Sequence, residues 1–275
     1  MDSVQKDSHA RVIVKDIRAE PNTCDLFFEE LSRAVTSIFE FFGGSSLLKA
    51  SRNVYLKPNA IDSKPYAYTR PELVQAVIEY FKGQGARRIF VMENSTQSNY
   101  TRIVFDAIGY TKICRKTGAV PVYLDEQKTK AVEFHPPSST PSTPKIDYDQ
   151  NTFEIPLFIA ENLIARRSEN LYVNLPKLKM HSMGVVTLGI KNQWAFPAHY
   201  YRKFDHNYNL HSKLVDVLQL IEPDFTLIEG VEGVVHGHYP VQKFHDRVIK
   251  PFKVLIGSPN VLAGEIGRAS CRERV

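Results

Sequence analysis

The stretch Asn174-Leu-Pro-Lys177-Leu-Lys179-Met-His181, continued by Gly189-Ile-Lys191-Asn192, threads three lysines, a histidine and two asparagines through otherwise apolar sequence. It follows a short hydrophobic run, Leu171-Tyr172-Val173. A buried lysine is costly unless it is paired or neutralised, so this concentration of amines marks a place where negative charge is received.

Other hydrophobic runs end in the same kinds of residue. Asn53-Val-Tyr-Leu-Lys57 leads into Pro58-Asn59, Arg88-Ile-Phe-Val-Met92 into Glu93-Asn94-Ser95, and Phe225-Thr-Leu-Ile-Glu229 into Gly230-Val-Glu232-Gly233. In an open parallel sheet, ligands bind beyond the carboxyl ends of the strands, so four such ends favour one shared pocket. Lys57, Arg70, Lys177, Lys179 and Lys191 are its expected cations. Asn59, Asn174 and Asn192 orient the ligand, and Glu93 joins the binding set. His181 is the candidate acid or base. Lys177 is the second catalytic candidate, because a desolvated lysine flanked by cations can act as a base or Schiff-base former. Fixed electrostatic clamping of a carboxylate or phosphate asks less of each residue and is the preferred role for these cations.

Seven of the nine histidines lie after residue 180: His181, His199, His206, His211, His236, His238 and His245. A divalent metal is therefore a candidate cofactor, with Glu229, Glu232 and His206 as its ligand set. No H-E-x-x-H, G-x-S-x-G, G-x-G-x-x-G or Walker A sequence is present. Standard zincin, α/β-hydrolase, dinucleotide and P-loop sites are thereby argued against.

The elements that must hold these residues alternate. Arg11–Ile17, Asn53–Lys57, Arg88–Met92, Ala119–Leu124, Leu171–Asn174, Phe225–Glu229 and Phe252–Gly257 read as strands. Helices are expected over Asp25–Phe42, from Thr69 to Phe81, over Tyr100–Lys116 with a break at Gly109, within Ser182–Asn192, and over Leu210–Ile221. Thr69-Arg-Pro-Glu72 matches a capping box, and Gly83 and Gly85 end the helix it opens. Trp194–Tyr208 reads as an aromatic, polar loop, and the Pro/Ser/Thr-rich stretch 135–150 as a surface excursion. Successive βα steps imply an α/β fold, a mainly parallel sheet flanked by helices in three layers. The expected domain is residues 1–264, with 1–134 and 151–264 as an alternative division into two lobes.

The 275 residues carry a formal charge of +5, spread in pairs such as Arg87-Arg88 and Arg202-Lys203, without the basic stripe of a nucleic-acid protein. No run suits a bilayer span and the polar start lacks a secretion signal, so a cytoplasmic location and no membrane partner are expected. Cys24, Cys114 and Cys271 have spacing that supports neither an iron–sulfur cluster nor a disulfide framework. Glu265–Val275 resembles an adapter sequence read in frame and is expected to be a non-native tail. Without it the charge becomes +4, because Arg268, Arg272 and Arg274 outnumber Glu265 and Glu273 by one.

Lys57-Pro58-Asn59, Thr69-Arg-Pro-Glu72, Gly85-Ala86, the Asn174–His181 and Gly189–Asn192 blocks, His206, and Ile228-Glu229-Gly230 with Glu232-Gly233 together resemble the DUF362 domain family of bacteria and archaea. The resemblance spans about residues 50–264. Family members tend to carry Asp where this chain has Glu229, and they continue past Gly264 with an acidic residue and further helix. Some relatives hold ferredoxin-like clusters, which implies an electron-transfer accessory role as one alternative. A looser similarity of layout to nickel-pincer lactate racemases implies a small hydroxy-acid or cofactor-like ligand. The reading of the residues themselves is an enzyme acting on a small anionic substrate. A non-catalytic binding module, with its lysines in rim salt bridges, is the remaining alternative.

Overall fold

The computed structural model describes residues 11–48, 52–64, 66–95, 100–134, 152–181, 185–198, 202, 206, 210–235 and 248–267. The chain opens with β1 (Ile13–Asp16) and α1 (Cys24–Phe41), then β2 (Asn53–Pro58), α2 (Pro71–Gly83) and β3 (Ile89–Glu93). Next come α3 (Thr101–Ile108), α4 (Tyr110–Thr117) and β4 (Val120–Tyr123). A two-stranded pair, β5 (Thr129–Glu133) and β6 (Thr152–Pro156), precedes α5 (Leu157–Ile159), which continues as a π-helical stretch over Ala160–Ala165. The rest is β7 (Asn170–Leu175), β8 (Lys177–His181), β9 (Val185–Thr187), α6 (Gly189–Asn192), α7 (Leu210–Leu220), β10 (Phe225–Val234), β11 (Ile249–Lys250), β12 (Val254–Ser258) and α8 (Val261–Gly267).

One mixed sheet runs in the order β1-β12-β10-β7-β2-β3-β4. The five strands from β10 to β4 are mutually parallel, and β12 lies antiparallel between β1 and β10. Strands from both sides of residues 135–150 share this sheet. That stretch itself lies outside the described residues.

Alternation along the strands builds three layers. Val54, Leu56, Val91, Val173 and Leu175 face one core with residues of α1, α2 and α4. Tyr55, Phe90, Met92 and Tyr172 face the other, with Phe153, Ile155, Leu214 and Val217. This period-two partition is what a sheet buried on both sides requires. The fold is α/β, as the alternating pattern implies.

Several local expectations need correction. Thr69 does not cap α2, whose N-cap is Arg70 without a side-chain cap bond. Its hydroxyl instead donates to Leu175 O at 2.6 Å and accepts from the Asn59 amide at 3.0 Å. The Phe225 strand does not stop at Glu229 but runs to Val234, because its second half finds β8 as a partner after β7 ends. The helix expected within Ser182–Asn192 shrinks to Gly189–Asn192, with β9 before it, and 182–184 lie outside the described residues. Gly109 does separate two helices, in the left-handed conformation at φ 87° that glycine tolerates.

Candidate functional site

From β2 the chain steps outward to β3 and β4, whereas β7 and then β10 lie on the opposite side. The sheet therefore reverses its strand order between β2 and β7, the position where open α/β sheets leave a crevice at their carboxyl ends. Lys57 of β2 and Asn174 of β7 are register partners there.

Asn192, the last residue of α6, ties the two strand ends together. Its Nδ2 donates to Lys57 O at 3.0 Å and to Asn174 Oδ1 at 2.8 Å. Its Oδ1 accepts from Asn59 Nδ2 at 3.0 Å and from Lys57 Nζ at 3.4 Å. One carboxamide thus uses its full donor and acceptor capacity. Asn174 Nδ2 in turn donates to Gly189 O at 2.7 Å. Gly189 must be glycine for this approach, since a Cβ would stand 2.5 Å from Val261 Cγ2 and 3.1 Å from Thr226 Cγ2.

Two lysines are buried with carboxylates. Lys57 Nζ lies 2.7 Å from Glu93 Oε1, and neither side chain is exposed. It also donates to Pro58 O at 2.9 Å, while Glu93 accepts from the amides of Ala60 and Asn94 at 2.8 Å each. Lys177 Nζ lies 2.5 Å from Glu229 Oε2, again in a fully buried pair. Glu229 also accepts from the amides of Val231 and Arg70. The Arg70 guanidinium pairs with Glu232 and lies 4.0 Å from Glu229. Burial pushes both lysines below the ordinary amine range, and the adjacent carboxylate opposes it in each case.

Lys179 and Lys191 are different. Lys177, Lys179 and His181 alternate with Leu178 and Met180 along β8, so the three polar side chains share one buried face. Lys179 is 2% exposed, and its ammonium donates to Ala67 O at 3.1 Å without a carboxylate partner among the described residues. Burial, then the charges of Lys191 and Lys177, bring it down to about 7. Lys191 makes no hydrogen bond or ion pair with any described residue. Burial, Arg202 and Lys57 bring it to about 8.

The segment between β2 and α2 closes over this group. Ala60 and Tyr68 form an isolated antiparallel bridge, and Tyr66 holds a left-handed backbone at φ 65° just before Ala67. Sparsely populated backbone of this kind persists where surrounding contacts fix it.

The sequence places nearly all of its candidates here. Lys57, Asn59, Glu93, Asn174 and Asn192 are in direct contact, as are Arg70, Lys177, Glu229 and Glu232. His181 is buried, and its ring meets that of His206 edge to face, with centroids 5.4 Å apart. Among the described residues no group of three or more His, Cys, Asp or Glu could hold a metal ion, and Glu229 and Glu232 are engaged by Lys177 and Arg70. His199, His236, His238 and His245 lie outside the described residues.

Arg202 is a residue beside these groups that sequence reading misses. It is buried, donates to Asn94 O at 3.0 Å and Ser95 O at 2.9 Å, and is lowered to about 10 by burial, against the pull of Glu93 and Asp125. It sits in a stretch without periodicity, and its only signal is the basic pair Arg202-Lys203. Gln193 is also fully buried, and neither polar atom of its amide has a partner among the described residues.

Glu265, the first residue of the expected non-native tail, accepts from the Ile190 amide at 2.7 Å. Residues 268–275 lie outside the described residues. Among the described residues no helix is long and apolar enough to cross a membrane.

No curated protein matches the sequence. A crystal structure of a protein from Thermotoga maritima is similar at a TM-score of 0.44 and 10% identity. The match covers 95% of this chain, which spans 60% of that one. The profile of the domain of unknown function DUF362 matches residues 54–265, a span containing the carboxyl ends of β2, β3, β7 and β10. The chain belongs to the DUF362 family.

Proposed function

We propose that the protein is an enzyme that binds a small anionic substrate, carboxylated or phosphorylated, in the crevice between β2 and β7. The observation that carries this reading is the pair Lys179 and Lys191, amines withdrawn from solvent without a carboxylate among the described residues to match them. Desolvated like charges raise the free energy of the empty site, and an anion with its own oxygens relieves that cost. Lys57 and Lys177 already have such partners, so their role is to hold the frame and add positive potential.

Asn59 Oδ1 is buried without a partner among the described residues, an acceptor for a ligand hydroxyl. His181, on the same face of β8 as Lys179, is the group to move a proton at the ligand. The alternative of a non-catalytic module rests on lysines in exposed rim ion pairs. The burial of Lys179 and the lowered amine values of Lys179 and Lys191 favour a reactive site instead.

A thermal-shift screen of small carboxylates and phosphates against the wild type and Lys191→Ala tests the reading. At least one anion should raise the wild-type melting temperature by several degrees and the variant's by much less. An equal response of both proteins to every anion would defeat the proposal.

A further inference from the structure

Resting on the anion-site reading, the charge inventory of the crevice goes one step further. Lys57 faces Glu93, Lys177 faces Glu229 and Arg70 faces Glu232, so three cations are matched one to one by carboxylates. Lys179 from β8, fully buried, and Lys191 from α6, half-buried, are left over without a described acid partner. Arg202 adds a guanidinium that donates to the main-chain carbonyls of Asn94 and Ser95, among other contacts. A single negative charge would leave one amine unmatched. Gln193 offers a further buried carboxamide whose two polar atoms have no partner among the described residues.

We infer that the crevice selects a compact doubly charged oxyanion, of the phosphomonoester class, over a singly charged one of the same size, and that binding draws protons onto Lys179 and Lys191. A dianion provides two charges and several acceptor oxygens within one small group, the complement of two ammonium groups that feel each other's charge.

The proton linkage follows from what surrounds the two amines. Lys179 feels Lys177 on its own strand, Lys191 from α6, and Glu93 and Asp62 from β3 and the segment after β2. Lys191 feels Lys57 from β2 together with Arg202. Cations outweigh acids around both, so each amine holds its proton weakly while the site is empty. An anion between them reverses that balance, and proton uptake accompanies binding at mildly alkaline pH. Affinity then falls as pH rises above about 8, since protons become scarcer while a phosphomonoester, with its second pKa about 6, is already a dianion.

The test is calorimetric titration of the full chain at pH 8 with methyl phosphate, a dianion, and dimethyl phosphate, a monoanion of similar shape. Each titration is run in two buffers of different ionisation enthalpy. Methyl phosphate should bind at least tenfold more tightly, with net proton uptake. Lys179→Met and, as a second variant, Lys191→Gln should bring the affinity ratio towards one and abolish much of the uptake. Equal affinity for the two esters, or binding without uptake, overturns this inference and leaves the anion site standing. If neither ester nor any carboxylate binds, both readings fall.

Discussion

Lys57 and Lys177 are buried as completely as Lys179, yet the pairs and the lone amine are opposite kinds of structure. Each paired lysine has its carboxylate within 2.7 Å, and that carboxylate takes two main-chain amides in addition. Such a unit fixes the geometry of the strand ends and is self-sufficient. Lys179 has only a carbonyl, and Lys191 has no partner at all among the described residues. The comparison teaches that burial alone does not separate the lysines of the frame from the amines proposed to receive a ligand. The missing acid does.

Breaking a pair should have the largest effect. Glu229→Ala or Glu93→Ala strands a buried ammonium and should cost about 3–5 kcal/mol of folding stability, read by urea unfolding. A loss under about 1 kcal/mol for both variants would mean that the paired lysines are no more committed than the lone ones, because that is the range of exposed pairs.

The unpaired side of the comparison is read through pH. Lys179 titrates at about 7 in the folded chain against an ordinary 10.5, so between those values the unfolded chain binds more protons. Its penalty is fully present below pH 7 and disappears as pH rises towards 10.5. Wild-type stability should accordingly gain roughly 3 kcal/mol from this residue between pH 7 and 10, whereas Lys179→Met should lack that gain. A wild-type curve parallel to the variant's would remove the distinction between the two classes of lysine.

A smaller effect is expected at the tie between them. Asn192→Ala leaves Asn59 Nδ2, Asn174 Oδ1 and Lys57 O without their partner and should cost about 2 kcal/mol, measured by thermal melting. The smallest belongs to the exposed pair Arg102–Glu126, 2.6 Å apart. Arg102→Ala should leave the urea unfolding midpoint nearly unchanged, which sets the scale against which the buried pairs count.

The sequence carries the site better than it carries the partnerships within it. Lys57, Asn59, Asn174 and Lys177 stand out because hydrophobic runs end on them, a local signal that survives without a structure. The alternation Lys177-x-Lys179-x-His181 is a further local signal, a strand period that places all three on one face. Which lysine meets which acid is not local. Lys57 meets Glu93 through the β2–β3 register, and Lys177 meets Glu229 only because β10 outruns β7 and continues beside β8. Arg202 depends on the fold of a segment with neither period, and so no pattern flags it. Thr69 misleads in the opposite direction, since its capping-box spacing is genuine but a carbonyl on β7 takes its hydroxyl.

The Asn192 tie also has a consequence for synthesis. Its bonds reach back 133 and 135 positions, to Asn59 and Lys57, and β7 itself begins at Asn170. At usual translation rates the ribosome takes on the order of ten seconds to travel from β2 to Asn192. Any β2–β3–β4 half that forms in that interval presents β2 as an open edge, the kind of surface on which neighbouring nascent chains add strands. A lysine on an exposed edge discourages such pairing. Lys57 stands on that edge until β7 pairs with β2.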